Sequence, residues 1–192
     1  MNIEIWFDFA SNYSYLSAMR LEELARARGV EVAWRPFLLG PVFKSLGMET
    51  SPFVVQKEKG AYVWIDMERQ CRKYGLDWTR PSTFPRRSIR PARIATLAEG
   101  QPWQAEFIRR VMRLNFVEDR DIEDDIALAD ILDELGQDGA AIIAEAETDG
   151  VKQRLRARTE EAQQRGIFGG PMFFVGAEMF WGNDRLDDAL DL

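Results

Sequence analysis

The sequence has no histidine and a single cysteine among 192 residues. Without a second thiol no disulfide can form within the chain, and a Cys/His zinc site cannot be built. Ser-His-Asp and Cys-His catalysis are excluded, as is the imidazole base that many enzymes use. An enzyme of this composition needs a reactive group borrowed from a bound molecule, or one unusual for its class. Long apolar runs are also missing: nothing approaches the roughly 18 residues of a membrane-spanning helix. The opening residues MNIEIWFDFA carry no basic n-region, so no secretory signal is expected. The lone cysteine suits a reducing compartment, and the expectation is a soluble cytoplasmic protein. Basic residues are in deficit, 25 against 32 acidic for a net charge of -7, which disfavours a nucleic-acid partner.

What is present is a chain with 46% hydrophobic residues, enough for one core or a core with one insertion. Ile3 to Phe9 reads as a buried strand. Ser11-Asn12 offers helix-capping chemistry, and Ala18, Leu21 and Ala25 lie on one face of a helix over Tyr13 to Arg28, stopped by Gly29. Val30 to Phe37 returns to strand character, completing a βαβ unit. From Pro41 to about Arg165 the period is helical. Ser51-Pro52 opens a helical segment ending at Gly75, and Pro81 to Pro91 reads as an irregular loop. Trp103 to Phe116 is helical, Asp121 caps the next helix, and Thr148-Asp149 caps another that stops at Gly166. Met172 to Val175 and Met179 to Trp181 form a hairpin about Gly176-Ala177, and Asn183-Asp184 opens a last helix. The expectation is therefore an α/β thioredoxin-like domain (βαβ…ββα) with a large all-helical insertion. Residues 1–40 and 166–192 form the domain and residues 41–165 the insertion.

Three constellations could carry chemistry. Ser11-Asn12-Tyr13-Ser14 stands where thioredoxin-like redox proteins place C-x-x-C. A helix N-terminus there stabilises an anion, and a serine hydroxyl can donate to one; the same residues also serve plain helix capping. Gly169-Gly170-Pro171 precedes a strand, which suits a tight turn, with a cis peptide as one option. Backbone groups beside such a proline can pair with an extended peptide ligand. Gly182-Asn183-Asp184 sets an amide and a carboxylate beside exposed N–H groups, which suits an amino-acid head group or an ordinary cap. Cys71, alone in a helical segment, reads as a packing residue. Trp64, Trp78 and Trp181 could line a pocket for an aromatic molecule.

In this order and spacing the motifs resemble the 2-hydroxychromene-2-carboxylate isomerase family, relatives of the kappa-class glutathione transferases within the DsbA-like group. The anchors are Asp8 to Leu16, Arg35-Pro36-Phe37, Lys59-Gly60-Ala61-Tyr62, Gly166 to Phe173, and Phe180 to Leu186. The resemblance implies a homodimer that binds glutathione and a small aromatic substrate. Ser11 would hydrogen-bond the glutathione sulfur, and Gly170 beside Pro171 would pair with its cysteinyl backbone. Asn183 and Asp184 would hold the γ-glutamyl end, and Lys59 or Lys44 the glycine carboxylate. No metal is implied. Three positions depart from the family pattern: Asn12 replaces proline, Gly170 replaces valine, and Gly47-Met48 replaces a Gly-Asn pair.

The implied reaction suits a chain without histidine. A thiolate adding to a conjugated enone makes its double bond single, and rotation with loss of the thiolate completes a cis-trans isomerisation. One hydrogen bond to a charged acceptor contributes about 1.5–3 kcal/mol, enough to bring a thiol of pKa about 8.5 to roughly neutral. A transferase or peroxidase would use the same thiolate, and a thioredoxin-fold binding module would need none. A dithiol oxidoreductase is disfavoured because Ser11 and Ser14 stand where both sulfurs belong.

Overall fold

The computed structural model describes residues 2–192. Strands β1 (Asn2–Phe7) and β2 (Glu31–Pro36) flank helix α1 (Asn12–Ala27) and pair in parallel, with Ile5 opposite Trp34. Strand β3 (Met172–Val175) lies antiparallel to β1, with Phe173 opposite Ile5, and turns into β4 (Glu178–Trp181). The sheet order is β2-β1-β3-β4, so the βαβ and ββα halves meet as expected. β1 lies inside the sheet and carries buried apolar residues on both faces. Ile3, Ile5 and Phe7 join the core that holds α1, while Trp6 packs on the opposite face with Phe37, Met172 and Phe174.

Ser11 caps α1, its Oγ accepting from the Ser14 N–H at 3.1 Å. Ala18, Leu21 and Ala25 are buried as their spacing requires. The helix closes through Gly29 in a left-handed conformation (φ 66°), with Val30 N–H donating back to Ala25 at 2.9 Å.

Between the halves run α2 (Leu39–Ser45), α3 (Pro52–Val55), α4 (Lys57–Tyr74), α5 (Ile89–Leu97) and α6 (Gln104–Phe116). They are followed by α7 (Asp125–Glu134), α8 (Gly139–Ala146) and α9 (Asp149–Gln164). A 3-10 turn at Asn183–Arg185 leads into the closing α10 (Leu186–Leu190). One core runs through both parts: Phe9 meets Phe107 with ring centroids 6.3 Å apart, and Tyr15 meets Phe116 at 5.6 Å.

Several boundaries differ from the sequence reading. The segment opened by Ser51 breaks at Gln56 into α3 and α4. α5 begins inside the expected loop, because Pro91 sits in its first turn, where a missing N–H costs nothing. Asp124 rather than Asp121 caps α7; Asp121 instead accepts from the nearby Glu123 N–H at 2.9 Å. The short α8, capped by Asp138, was not expected. Among the described residues no helix is long and apolar enough to cross a membrane.

Candidate active site

The site is built outward from the end of β1. Asp8 is buried and its carboxylate collects donors from three segments. Oδ1 accepts from Ala10 N–H at 2.9 Å and Ser88 Oγ at 2.6 Å, and Oδ2 accepts from Leu39 N–H at 2.7 Å. Its own carbonyl accepts from Ser11 N–H at 2.9 Å. Burial raises the Asp8 pKa in spite of these bonds. One carboxylate thus fixes the β1–α1 turn, the start of α2 and the residue that opens α5.

The next layer joins the three sequence constellations. Ser11 Oγ donates to the Gly170 carbonyl at 3.2 Å. The Gly170–Pro171 peptide is cis. The Pro171 carbonyl accepts from Gly182 N–H at 3.0 Å, which places the Gly182-Asn183-Asp184 turn beside it. The two glycines before Pro171 differ. A methyl group on Gly169 would come within 2.8 Å of Trp181 Nε1, whereas one on Gly170 would make only ordinary contact with Ser14 Oγ at 3.4 Å. A side chain at Gly169 would therefore displace the exposed Trp181 ring, whereas one at Gly170 would displace nothing.

A cavity of about 860 Å³ opens over this junction. It brings Ser11, Lys59, Gly170, Asn183 and Asp184 together. Pro171 is buried and does not line it, and Lys44, exposed on α2, lies outside it. The Asn183 carboxamide turns toward α1, its Oδ1 accepting from Ser17 Oγ at 3.1 Å and Arg20 at 3.0 Å. Asp184 is exposed and sits 3.5 Å from Arg185. Trp181 lines the cavity, but Trp64 and Trp78 do not; Phe84, packed edge-on to Trp64 at 4.7 Å, lines it instead.

Sequence reasoning missed much of the wall. Tyr13 donates to Asp66 at 2.6 Å; burial first, then this bond and the Asp66 charge, hold its pKa well above the ordinary phenol value. Arg86, Arg87 and Ser88 line the cavity from the loop before α5. The adjacent arginines were a visible signal, but the loop around them looked merely irregular. Cys71 lies in α4 away from the cavity, its thiol pushed up to about 12 by burial, and is no nucleophile.

Two buried polar atoms have no partner among the described residues: Asn12 Nδ2 and Ser14 Oγ. Both follow Ser11 in the first turn of α1, a turn that contains no acidic residue of its own. Buried groups left unpaired cost stability, and these two lie in the same helix turn that Ser11 caps.

The model of the DSBA-like thioredoxin domain matches residues 2–192. The chain belongs to that DsbA-like family. A 2-hydroxychromene-2-carboxylate isomerase of Sphingobium xenophagum is 32% identical over 96% of this chain and 94% of its own. One from Pseudomonas putida is 30% identical over 97% and 91%. A solved 2-hydroxychromene-2-carboxylate isomerase superposes with a TM-score of 0.89 at 27% identity, covering 98% of this chain and 92% of that one. A probable DsbA oxidoreductase from Streptomyces coelicolor shares the fold, with a TM-score of 0.77 at 24% identity over 100% of this chain and 87% of that one. The DsbA-like fold is thus common to proteins named as isomerases and as oxidoreductases, and this chain carries Ser11 and Ser14 at the start of α1.

Proposed function

We propose that the protein is a glutathione-dependent cis-trans isomerase that interconverts 2-hydroxychromene-2-carboxylate and trans-o-hydroxybenzylidenepyruvate in aromatic catabolism. The observation that carries this reading is Ser11. Its hydroxyl lies at the N-terminus of α1, against the Gly170 carbonyl and in a cavity to which the chain contributes no thiol. The names of the relatives at about 30% identity point the same way.

The residues present fit glutathione. The unpaired polar atoms beside Ser11 and the positive helix end favour an anion there. Gly170 offers a backbone carbonyl at the cis-proline, Asp184 a carboxylate for an ammonium group, and Lys59 a cation for a carboxylate. Lys44, outside the cavity, is the weaker choice for that last part. When bound, glutathione supplies the nucleophilic thiolate that the chain lacks. The chain's own work is positioning. In the structure Ser11 spends its proton on the Gly170 carbonyl, so donation to a sulfur requires the hydroxyl to rotate. Asp8 keeps the turn in place while it does so. Tyr13 keeps its proton over the working pH range and donates it to Asp66, which leaves its oxygen free to accept. A cytoplasmic homodimer completes the proposal.

Calorimetry with glutathione, followed by absorbance assays on the chromene carboxylate with and without it, tests the reading. Saturable binding and thiol-dependent turnover are expected. Absence of binding at millimolar glutathione, or turnover of a chlorodinitrobenzene-type electrophile with none of the chromene, would overturn it.

A further inference from the structure

The cavity is lined by four cations: Lys59, Arg86, Arg87 and Arg185. They are not equivalent. Arg86 is committed to the fold: its side chain is only 8% exposed and it donates to Asn115 Oδ1 at 2.8 Å and Asp119 at 2.6 Å. Arg185 is shared between Asp184 at 3.5 Å and Asp188 at 3.7 Å, on the wall carrying Asn183. Lys59 is the cation already given to glutathione. Arg87 is left. Its side chain is 71% exposed and meets a single carboxylate, Glu123, at 3.4 Å. Glu123 has a second donor in the Arg90 N–H at 2.9 Å, so releasing Arg87 does not strand it.

Position strengthens the case. Arg87 precedes Ser88, whose hydroxyl donates to the same Asp8 oxygen that holds Ala10 N–H. The arginine therefore stands on a wall tied, through one carboxylate, to the turn that carries Ser11. Phe84, on the same wall, supplies an apolar ring face. The cavity is large enough for a second small molecule beside a tripeptide.

We infer that Arg87 is the specificity-determining anchor for the carboxylate of the second, aromatic substrate, holding it across the cavity from Ser11. Guanidinium suits a planar carboxylate because it can present two parallel N–H groups. In a chromene carboxylate or a benzylidenepyruvate the acid lies a few bonds from the carbon-carbon double bond that must rotate. An anchor pinned to the Ser11 turn can therefore fix both. This assignment rests on the isomerase reading for the substrate's identity, but not for the claim that the cavity takes an aromatic acid.

Two stable probes separate those claims: coumarin-3-carboxylate and its neutral ethyl ester. Binding of each to the full chain is measured by calorimetry for the unaltered protein, Arg87→Ala and Arg87→Lys. Arg87→Ala is expected to weaken acid binding about tenfold or more, with Arg87→Lys intermediate, and to leave the ester unchanged. Acid binding by the unaltered protein should also weaken with added salt. Equal acid affinity in all three proteins, or an equal loss for acid and ester, would overturn the assignment. The same holds if the unaltered protein binds neither probe. Where chromene turnover is measurable, kcat/KM should fall in Arg87→Ala, with Arg87→Lys intermediate. Glutathione binding is measured separately, so loss of the isomerase reading and loss of the Arg87 anchor give different results.

Discussion

Ser11 holds three relationships at once: it caps α1, donates to Gly170 and faces the cavity. Ser11→Ala should raise the pKa of the bound glutathione thiol by about one to two units, read from thiolate absorbance against pH. An unchanged titration in Ser11→Ala would refute its role. Asp8 supports a prediction of a different kind. Asp8→Asn keeps the shape but turns one acceptor into a donor facing N–H and O–H groups, and should destabilise the fold by about 2–4 kcal/mol. Burial raises the folded-state pKa of Asp8 above its unfolded value, so the folded state binds the proton more tightly. Asp8 therefore adds stability as pH falls through the raised value toward the ordinary carboxylate range. The deficit of Asp8→Asn should accordingly widen from neutral toward mildly acidic pH in urea titrations; a constant deficit would contradict the linkage. Ser11, Gly170 and Asp184 were legible because their motifs are local. Asp8 and Arg87 were not, since their meaning depends on partners 31, 80 and 36 residues away in the chain.

At the scale of elements, the junction of α3 and α4 is tightly specified. Gly60 has no β-carbon because the Phe53 carbonyl occupies that space, and Gly60 N–H donates to Gln56 at 2.8 Å. Gly60→Ala must push α3 away from α4, at a cost of about 1–3 kcal/mol. Phe53 and Lys59 line the cavity on either side of the contact, so glutathione affinity should fall along with the melting temperature. Loss of stability with full affinity would show that this junction does not shape the site. The break between these helices was hidden because Phe53, Val54 and Val55 continue the apolar pattern. The cap of α7 was obscured by a surplus of candidates, with Asp121, Glu123, Asp124 and Asp125 all within five residues. The strands were clear because their short apolar runs are bounded by turn residues, as Gly176-Ala177 bounds β3 and β4.

At the scale of the whole molecule, the cavity draws residues from Asp8 to Arg185, so it exists only when both ends of the chain and the helical block are packed together. Glutathione should then stabilise the fold as a unit, by about 2.7 kcal/mol at one hundred times its dissociation constant. A calorimetric melting temperature that does not move under those conditions would contradict glutathione binding to the native state alone. Acid should loosen the helical block. Burial alone would raise the Glu147 pKa, but Arg93 at 2.8 Å and Arg90 at 3.4 Å outweigh it and hold it below the ordinary range. The stability this adds is present above the ordinary carboxylate value and lost as pH falls through the lowered one. That the two sheet halves share one core could be anticipated from unburied strands; that α6 completes it, with Phe107 and Phe116 against Phe9 and Tyr15, could not.

Trp181 has a further consequence. Its indole is half exposed, packs edge-on to Phe168 at 4.9 Å and lies against Gly169 at the wall of the cavity. A chromophore so placed is an optical gauge within the molecule. Displacement of water by any ligand in the cavity changes the polarity around the ring, and with it the wavelength of its emission. Occupancy can then be followed in solution without a label, and the contribution of this one tryptophan isolated by difference against Trp181→Phe.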